Sequence, residues 1–203
     1  MNERLLLGLT GPYCAGKNFA GKILAEKGFA VLDVDKLGHA ALEKQKEAVT
    51  ARFGSGVLGA DGRIDRRSLG ECVFGNPAGL AALENIVHPE ANRLTLEWIA
   101  SRKGIDCVIN AALLHRSSAF TMLDAVIFIR APYIARMFRA RKRDGLPFRE
   151  IWRRFNSQRF NIYYSGKKTD IYYINNCGFG FFSPLNRLRF ERRLDEILSA
   201  ARC

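Results

Sequence analysis

The apolar residues of this chain are gathered into short, almost unbroken runs that are separated by longer segments of mixed polarity. The runs have the length of strands and lie at residues 5–10, 29–34, 106–113, 125–130 and 171–175. Because their apolar residues are contiguous rather than alternating with polar ones, they predict strands that are buried on both faces. Such strands, with helical segments between them, predict an α/β fold with a parallel sheet covered by helices on both sides.

Helical composition fills most of the intervening segments. Residues 17–27 predict a helix closed by Gly28, because a glycine accepts the left-handed conformation that ends many helices. Residues 64–100 predict several helices that are broken at Gly75-Asn76-Pro77 and at His88-Pro89. Residues 53–63 form a glycine-rich loop, and further helices are predicted at residues 36–52, 134–144 and 183–200 and from Pro147 onward.

Length and composition are those of a small globular enzyme. The chain has 203 residues, of which 48% are hydrophobic, and no linker or repeat divides it. No apolar run approaches the length of a membrane span, and the first residues lead directly into a core strand, so we expect no signal peptide and a cytoplasmic location. The five cysteines are scattered and odd in number, which predicts reduced thiols rather than a disulfide or zinc framework.

The segment between the first strand and the first helix has the spacing of a phosphate-binding P-loop. It reads Gly11-Pro12-Tyr13-Cys14-Ala15-Gly16-Lys17. Its glycines let successive N–H groups converge on one anion, and Lys17 can reach the outer phosphates of a nucleotide. Asn18 stands where a hydroxyl normally ligates Mg²⁺, although its amide oxygen is also a hard donor. The alternative is an ordinary turn between a strand and a helix.

Two carboxylates follow the second strand in the sequence Asp33-Val34-Asp35. Ligands of parallel α/β sheets lie beyond the carboxyl ends of the strands, where the predicted P-loop also lies. If the strand persists, its alternation sends Asp33 and Asp35 to the same side, where a carboxylate can orient an acceptor hydroxyl and accept its proton. The alternative is that Asp35 caps the next helix. The neighbouring P-loop favours the catalytic interpretation.

The net charge of +12 allows nucleic-acid binding, attraction to an acidic membrane or a site for a phosphorylated small molecule. Basic residues concentrate at residues 130–159 and 187–193, and the second cluster is interpreted as solvated surface. In the first, Arg136, Arg139 and Arg143 have the spacing of one helix face. They predict a cationic lid, since a guanidinium binds phosphate oxygens in a bidentate way.

Several ordered motifs over about residues 5–178 resemble those of the dephospho-coenzyme A kinases. The motifs are Leu9-Thr10-Gly11 with the P-loop, Asp33-Val34-Asp35, Arg52-Phe53-Gly54, Asp61-Gly62-Arg63-Ile64-Asp65-Arg66, Val73-Phe74, His88-Pro89, Arg143-Asp144 and Asn176-Cys177-Gly178. The resemblance implies a three-layer P-loop kinase fold with a five-stranded parallel sheet. It implies one domain over residues 1–203, with a nucleotide core at 1–54 and 103–203, a helical substrate subdomain at 55–102 and a lid at 132–168.

The resemblance also implies the reaction and its residues. The γ-phosphoryl group of ATP passes to the 3′-hydroxyl of dephospho-coenzyme A, with Lys17, Asp35 and Arg143 as the catalytic residues and Asn18 at the Mg²⁺ position. The residues implied to bind ATP are Gly11, Pro12, Tyr13, Cys14, Ala15, Gly16, Lys17, Asn18, Phe19, Arg139 and Asn175. The residues implied to bind the acceptor substrate are Asp33, Asp35, His88 and Leu113. We expect ATP and dephospho-coenzyme A as the ligands, no specific nucleic acid, no membrane, and a monomer or small homo-oligomer.

The sequence departs from the family pattern in several places. Where the family carries Pro-Leu-Leu-x-Glu, this chain has Ala112-Leu113-Leu114-His115-Arg116. The aspartate expected after the last strand is Asn175, and an expected arginine before it is replaced by Lys167 or Lys168. These departures leave three alternatives, which are a kinase for another nucleotide or nucleoside, a catalytically weakened nucleotide-binding protein, and a basic nucleic-acid-binding protein. The last is favoured in part by Phe155, Phe160, Tyr163 and Tyr164 among the basic residues.

Overall fold

The computed structural model describes residues 4–157, 169–177 and 184–202. The chain divides into two compact units. The first contains Met1–Leu32 and Arg102–Cys203, and the second contains Asp33–Ser101. Within the described ranges, no helix combines the length and the apolar character needed to cross a lipid bilayer.

The sheet has five strands in the order β2-β3-β1-β4-β5. The strands are β1 Leu6–Thr10, β2 Ala30–Asp33, β3 Cys107–Asn110, β4 Ala125–Arg130 and β5 Asp170–Asn175. The pairs β1–β3, β1–β4 and β4–β5 are parallel. The predicted parallel sheet is therefore confirmed, with the first strand in its centre. The prediction for residues 106–113 was too long, because β3 ends at Asn110 and the chain turns at Ala112 and Leu113 before the 3-10 helix at Leu114–Arg116.

Helices follow most of these strands along the chain. The described helices are α1 Lys17–Glu26, α2 Val34–Lys44, α3 Lys46–Phe53, α4 Arg66–Val73, α5 Pro77–Ala100, α6 Tyr133–Asp144, α7 Phe148–Ser157 and α8 Pro184–Ala200. The core of the first unit joins β1 and β4 to α1 and α8. Leu9, Leu24, Ile127 and Leu194 are all fully buried there. Burying each of these side chains stabilises the fold by roughly 1.5–3 kcal/mol.

The second unit consists of α2 to α5 around a small core of Val49, Val57, Ile64 and Leu69. The predicted break at Gly75-Asn76-Pro77 is confirmed, since α4 ends before it and the side chain of Asn76 caps α5.

The predicted break at His88-Pro89 is wrong, because α5 runs through Pro89 without interruption. Pro89 has no N–H to donate to the preceding turn, which costs about 3 kcal/mol inside a helix. Side chains on the following turns form local contacts. Arg93 pairs with Glu90 at 2.8 Å, and Thr95 Oγ1 donates to the carbonyl of Ala91 at 2.8 Å.

Candidate active site

The loop at residues 11–17, called the 11–17 loop below, joins the carboxyl end of β1 to the first residue of α1. Gly11 has a φ of +152°, and a Cβ built on it would lie 2.4 Å from the carbonyl oxygen of Ile129, so only glycine fits. Gly16 precedes α1 in a left-handed conformation with a φ of +111°. The strand, glycine-bounded loop and helix that the sequence predicts are therefore all present.

Three carbonyl oxygens of the 11–17 loop accept hydrogen bonds from the loop itself or from α1. The pairs are Lys17 Nζ to Gly11 at 3.0 Å, Ala15 N to Pro12 at 3.0 Å, and Ala20 N to Gly16 at 3.1 Å. The side chain of Lys17 thus lies along the loop and bridges its two ends.

The middle of the loop is contacted by arginines of α6. Arg136 donates from Nε to the carbonyl of Tyr13 at 2.8 Å. Arg139 donates from Nη1 to the carbonyls of Cys14 at 3.3 Å and Ala15 at 3.2 Å. The side chain of Arg139 is buried and that of Arg136 is half-buried, and burial lowers the pKa of both guanidinium groups. Two of the arginines assigned to one helix face therefore contact the loop backbone.

Asn176, the first residue after β5, completes these contacts. Its Nδ2 donates to the carbonyl of Ala15 at 2.9 Å. Its own carbonyl and side-chain oxygens accept from Arg139 Nη2 at 3.0 and 3.2 Å. Asn176 has no role among the sequence-based predictions, although a polar residue directly after a buried parallel strand is a signal of such a site.

Arg143, the third arginine of the face, forms an ion pair with the residue beside it. Its Nε and Nη2 donate to Asp144 at 2.7 and 3.1 Å, and its guanidinium lies 4.9 Å from the ring centroid of Tyr13. The hydroxyl of Tyr13 donates to the same carboxylate. The predicted lid arginine therefore lies against the 11–17 loop.

Asn18, at the predicted Mg²⁺ position, contacts a residue of the neighbouring strand. Asn110, the last residue of β3, donates from Nδ2 to Asn18 Oδ1 at 3.0 Å. Asn110 is 5% exposed, and within the described part of the chain its Oδ1 is buried without a hydrogen-bond partner. The site thus contains, beside Asn18, an amide oxygen that accepts no hydrogen bond from the described residues. The sequence analysis missed Asn110, which also directly ends a buried strand.

The two carboxylates after the second strand differ from expectation. β2 ends at Asp33, whose Oδ1 accepts a hydrogen bond from the backbone N–H of Lys36 at 3.3 Å and caps α2. The predicted alternation of Asp33 and Asp35 along one strand is wrong, because the cap starts the helix at Val34. The alternative cap at Asp35 is also wrong, since Asp35 lies inside the first turn.

Comparison with known proteins decides the family. The sequence profile of the dephospho-CoA kinase family matches residues 5–175. The chain belongs to this family. It is 32% identical over 184 residues to the dephospho-CoA kinase of Treponema pallidum, which covers 85% of this chain and 87% of that protein.

Two solved structures are similar to this member of the dephospho-CoA kinase family over nearly its whole length. A crystal structure of a protein from Thermus thermophilus has a TM-score of 0.79 at 29% identity and covers 98% of both chains. The dephospho-CoA kinase from Campylobacter jejuni has a TM-score of 0.61 at 24% identity and covers 98% of this chain and 97% of that one. The second similarity concerns the fold alone, and the P-loop kinase fold is thereby confirmed.

The remaining candidate ATP residues of this family member lie near α8. The ring of Phe19 packs edge-on against Phe190 at 5.3 Å between centroids, so this side chain belongs to the core. Asn175 ends β5 with an exposed side chain and lines a cavity of about 550 Å³ together with Asn176 and Arg189. The structure therefore brings Asn175 beside the loop contact made by Asn176.

Two candidate substrate residues of this kinase-family chain, His88 and Leu113, have half-buried side chains. His88 lies in the middle of α5 and is half-buried. Leu113 is half-buried between β3 and the 3-10 helix at Leu114–Arg116. Beside it, burial and the Arg116 charge lower the pKa of His115. Arg116, which stands where the family carries a glutamate, is therefore next to a His115 side chain that is neutral at neutral pH.

Part of the predicted lid lies outside the described residues. Residues 158–168 lie outside the described ranges, and this segment contains Phe160, Tyr163, Tyr164, Lys167 and Lys168. Gly178 also lies outside the described ranges. Phe155 is described and is 7% exposed, with the guanidinium of Arg136 4.2 Å from its ring centroid. Phe155 therefore does not support the nucleic-acid-binding alternative, which would expose aromatic residues among the basic ones.

Proposed function

We propose that this chain transfers the γ-phosphoryl group of ATP to the 3′-hydroxyl of dephospho-coenzyme A, which gives coenzyme A and ADP. The observation that carries the proposal is a strand–loop–helix with a Gly-Lys end in a member of the dephospho-CoA kinase family. The proposal includes a cytoplasmic location, a monomer or small homo-oligomer, and the second unit as the acceptor-binding part.

The reaction assigns one task to each candidate residue. The 3′-oxygen forms a bond to the γ-phosphorus while the bond from that phosphorus to the β–γ bridging oxygen breaks, and ADP leaves with the electron pair. The proton of the hydroxyl passes to the carboxylate of Asp35. Lys17 and Arg143 neutralise the charge that spreads over the transferring oxygens. Because the protein forms no covalent bond to the substrates in this reaction, positioning and charge neutralisation account for most of the expected rate enhancement.

The residues around Asn18 fit a magnesium ion bound with the nucleotide. Asn18 and Asn110 offer neutral amide oxygens, and hard oxygens are what Mg²⁺ prefers. The buried Oδ1 of Asn110 has no partner among the described residues, so an ion or its water would satisfy it. No cluster of three or more His, Cys, Asp or Glu able to hold a metal occurs within the described ranges. We therefore infer that Asn18 and Asn110 would hold Mg²⁺, which neutralises phosphate charge when bound.

The direct test is an ADP-release assay with and without dephospho-coenzyme A, with mass spectrometry of the product. We expect ADP release that depends on dephospho-coenzyme A and a product carrying one added phosphoryl group on the ribose. Nucleosides and nucleoside monophosphates serve as competing acceptors in the same assay. Faster turnover of one of these would favour a different kinase, and ATP binding without any acceptor-dependent ADP release would favour a catalytically weakened protein.

A further inference from the structure

The hydrogen bonds from Arg136, Arg139 and Asn176 to carbonyls of the 11–17 loop give these side chains a task other than contact with the nucleotide. We propose that Arg139 and Asn176, aided by Arg136, are positioning residues that fix the loop backbone in its nucleotide-binding conformation. These three residues are called the carbonyl clamp below. The inference rests on the proposed function for the identity of the ligand, which is the polyphosphate of ATP.

The clamp acts on the segment of the loop that regular structure does not hold. Tyr13, Cys14 and Ala15 lie after the end of β1 and before the start of α1. Cys14 has a φ of +58°, and it is the one non-glycine residue with a positive φ in the described part of the chain. Such a backbone costs about 1–3 kcal/mol and persists only where its surroundings enforce it. The hydrogen bonds from α6 and from the end of β5 supply that enforcement.

The direction of the clamped carbonyls determines the direction of the amides. In a trans peptide the C=O and the following N–H point in opposite directions. Arg136 holds the carbonyl of Tyr13, so the N–H of Cys14 is turned away from α6. Arg139 and Asn176 hold the carbonyl of Ala15, so the N–H of Gly16 is likewise turned away. Amides that are oriented in this way form an anion-binding concavity beside the positive end of α1.

The clamp also supplies positive charge. The four hydrogen bonds from Arg139 to Cys14, Ala15 and Asn176 all end on neutral oxygens. These bonds place the guanidinium directly against the loop backbone. Arg139 therefore orients the amides without needing to touch the nucleotide.

A set of variants separates these effects from folding. Arg139→Met removes the charge and the hydrogen-bond donors of the guanidinium, and Arg139→Lys keeps the charge. Asn176→Leu removes the donor to Ala15 and the side-chain acceptor of Arg139 at similar volume. Lys142→Met is the matched control, because it removes an exposed positive charge from the same helix. For each folded protein we would measure ATP and ADP dissociation constants by calorimetry, the KM values of both substrates, kcat, and the melting temperature without ligand.

We expect Arg139→Met to weaken ATP binding about 30-fold or more and Asn176→Leu about 5-fold, which follows from charged and neutral hydrogen bonds respectively. Arg139→Lys should fall between Arg139→Met and the unmodified protein. The KM for dephospho-coenzyme A should stay within about twofold, and Lys142→Met should bind ATP like the unmodified protein. A selective loss of nucleotide affinity supports the clamp, because a merely structural role would not separate the two substrates.

Unchanged ATP affinity in folded Arg139→Met and Asn176→Leu proteins would overturn the inference, even if both melt at lower temperature. If Arg139→Met does not fold, the Asn176→Leu result decides alone. Failure of the proposed function looks different, since the unmodified protein would then bind ATP without phosphorylating dephospho-coenzyme A. The affinity series still decides on the clamp in that case. Absence of ATP binding by the unmodified protein would overturn both.

Discussion

Asn110 donates a hydrogen bond from its Nδ2 to Oδ1 of Asn18 at 3.0 Å. The pair links the carboxyl end of β3 to the first turn of α1, next to the 11–17 loop. In the proposed Mg²⁺ site, this geometry would let an asparagine replace the usual hydroxyl. The longer side chain of Asn18 is held by Asn110, and the buried Asn110 Oδ1 would be the second oxygen.

We therefore predict opposite effects of two substitutions at Asn110. Asn110→Leu removes the buried oxygen and should raise the Mg²⁺ concentration for half-maximal ATP affinity about fivefold. A factor of about five corresponds to the free energy of one neutral hydrogen bond. Asn110→Asp places a carboxylate there and should lower that concentration, because a charged oxygen binds the ion more tightly. Calorimetric titration of ATP at a series of Mg²⁺ concentrations measures both. An identical Mg²⁺ dependence in the two variants would remove Asn110 from the metal site.

Lys17 is predicted to be essential for phosphoryl transfer and dispensable for folding. Lys17→Met removes a cation from the transferring phosphate and should lower kcat by about 10²–10³-fold. The bond from Nζ to the carbonyl of Gly11 is also lost, but the strand and helix at the two ends of the loop remain. Lys22→Met, on the exposed side of α1, is the matched control. Near-normal kcat in a folded Lys17→Met protein would contradict the assignment of the loop.

The sequence predicts the sheet well because its signal is local. An apolar run such as residues 125–129 can only be satisfied between two layers, and β4 covers these residues and Arg130. The loop is equally readable, because Gly11 has no room for a side chain beside the carbonyl of Ile129. These features follow from sterics and burial that a short stretch of sequence determines.

The clamp could not be predicted in the same way, because it depends on distant parts of the chain. The spacing of Arg136, Arg139 and Arg143 predicts a shared face, but it does not tell which of them lies over a ligand and which lies behind the loop. Asn176 reaches Ala15 across 161 positions of sequence. The end of β2 was also misjudged, because a cap at Asp33 competes with extension of the strand.

Asp35 is predicted to act in catalysis rather than in stability. Asp35→Asn keeps the size of the side chain and removes the proton acceptor, so kcat should fall about 10²-fold or more. The melting temperature should change little, because Asp33 and not Asp35 caps α2. Asp33→Ala provides the contrast, since loss of the cap costs about 1 kcal/mol and should lower the melting temperature by about 2–4 °C. A stability loss in Asp35→Asn with unchanged kcat would refute the proposed base.

Cys14 is predicted to react slowly with alkylating agents at neutral pH. Burial raises the pKa of its thiol, and the charges of Arg143, Arg136, Lys17 and Arg139 only partly oppose this. A raised pKa means that the thiol stays protonated at neutral pH, so its reaction should accelerate with every step between about pH 7 and about pH 9. Mass spectrometry after iodoacetamide treatment measures this against the exposed thiol of Cys72. Equal rates at neutral pH would show that the cations outweigh burial.

Arg143 tests the purpose of the positive charge. In the structure its guanidinium is paired with Asp144 and lies over the ring of Tyr13 beside the 11–17 loop. If it neutralises the transferring phosphate, Arg143→Ala should lower kcat by about 10²-fold or more, whereas Arg153→Ala, an exposed charge on α7, should leave kcat unchanged.

The same two proteins distinguish a lid from a nucleic-acid surface. We expect weak binding of a labelled oligonucleotide that is lost with rising salt, because the net charge of +12 attracts phosphates without selecting a sequence. Arg143→Ala and Arg153→Ala should reduce that binding by the same small factor, since each removes one charge. Sub-micromolar oligonucleotide binding near physiological salt, abolished in Arg143→Ala while phosphoryl transfer is unchanged, would instead assign Arg143 to nucleic acid.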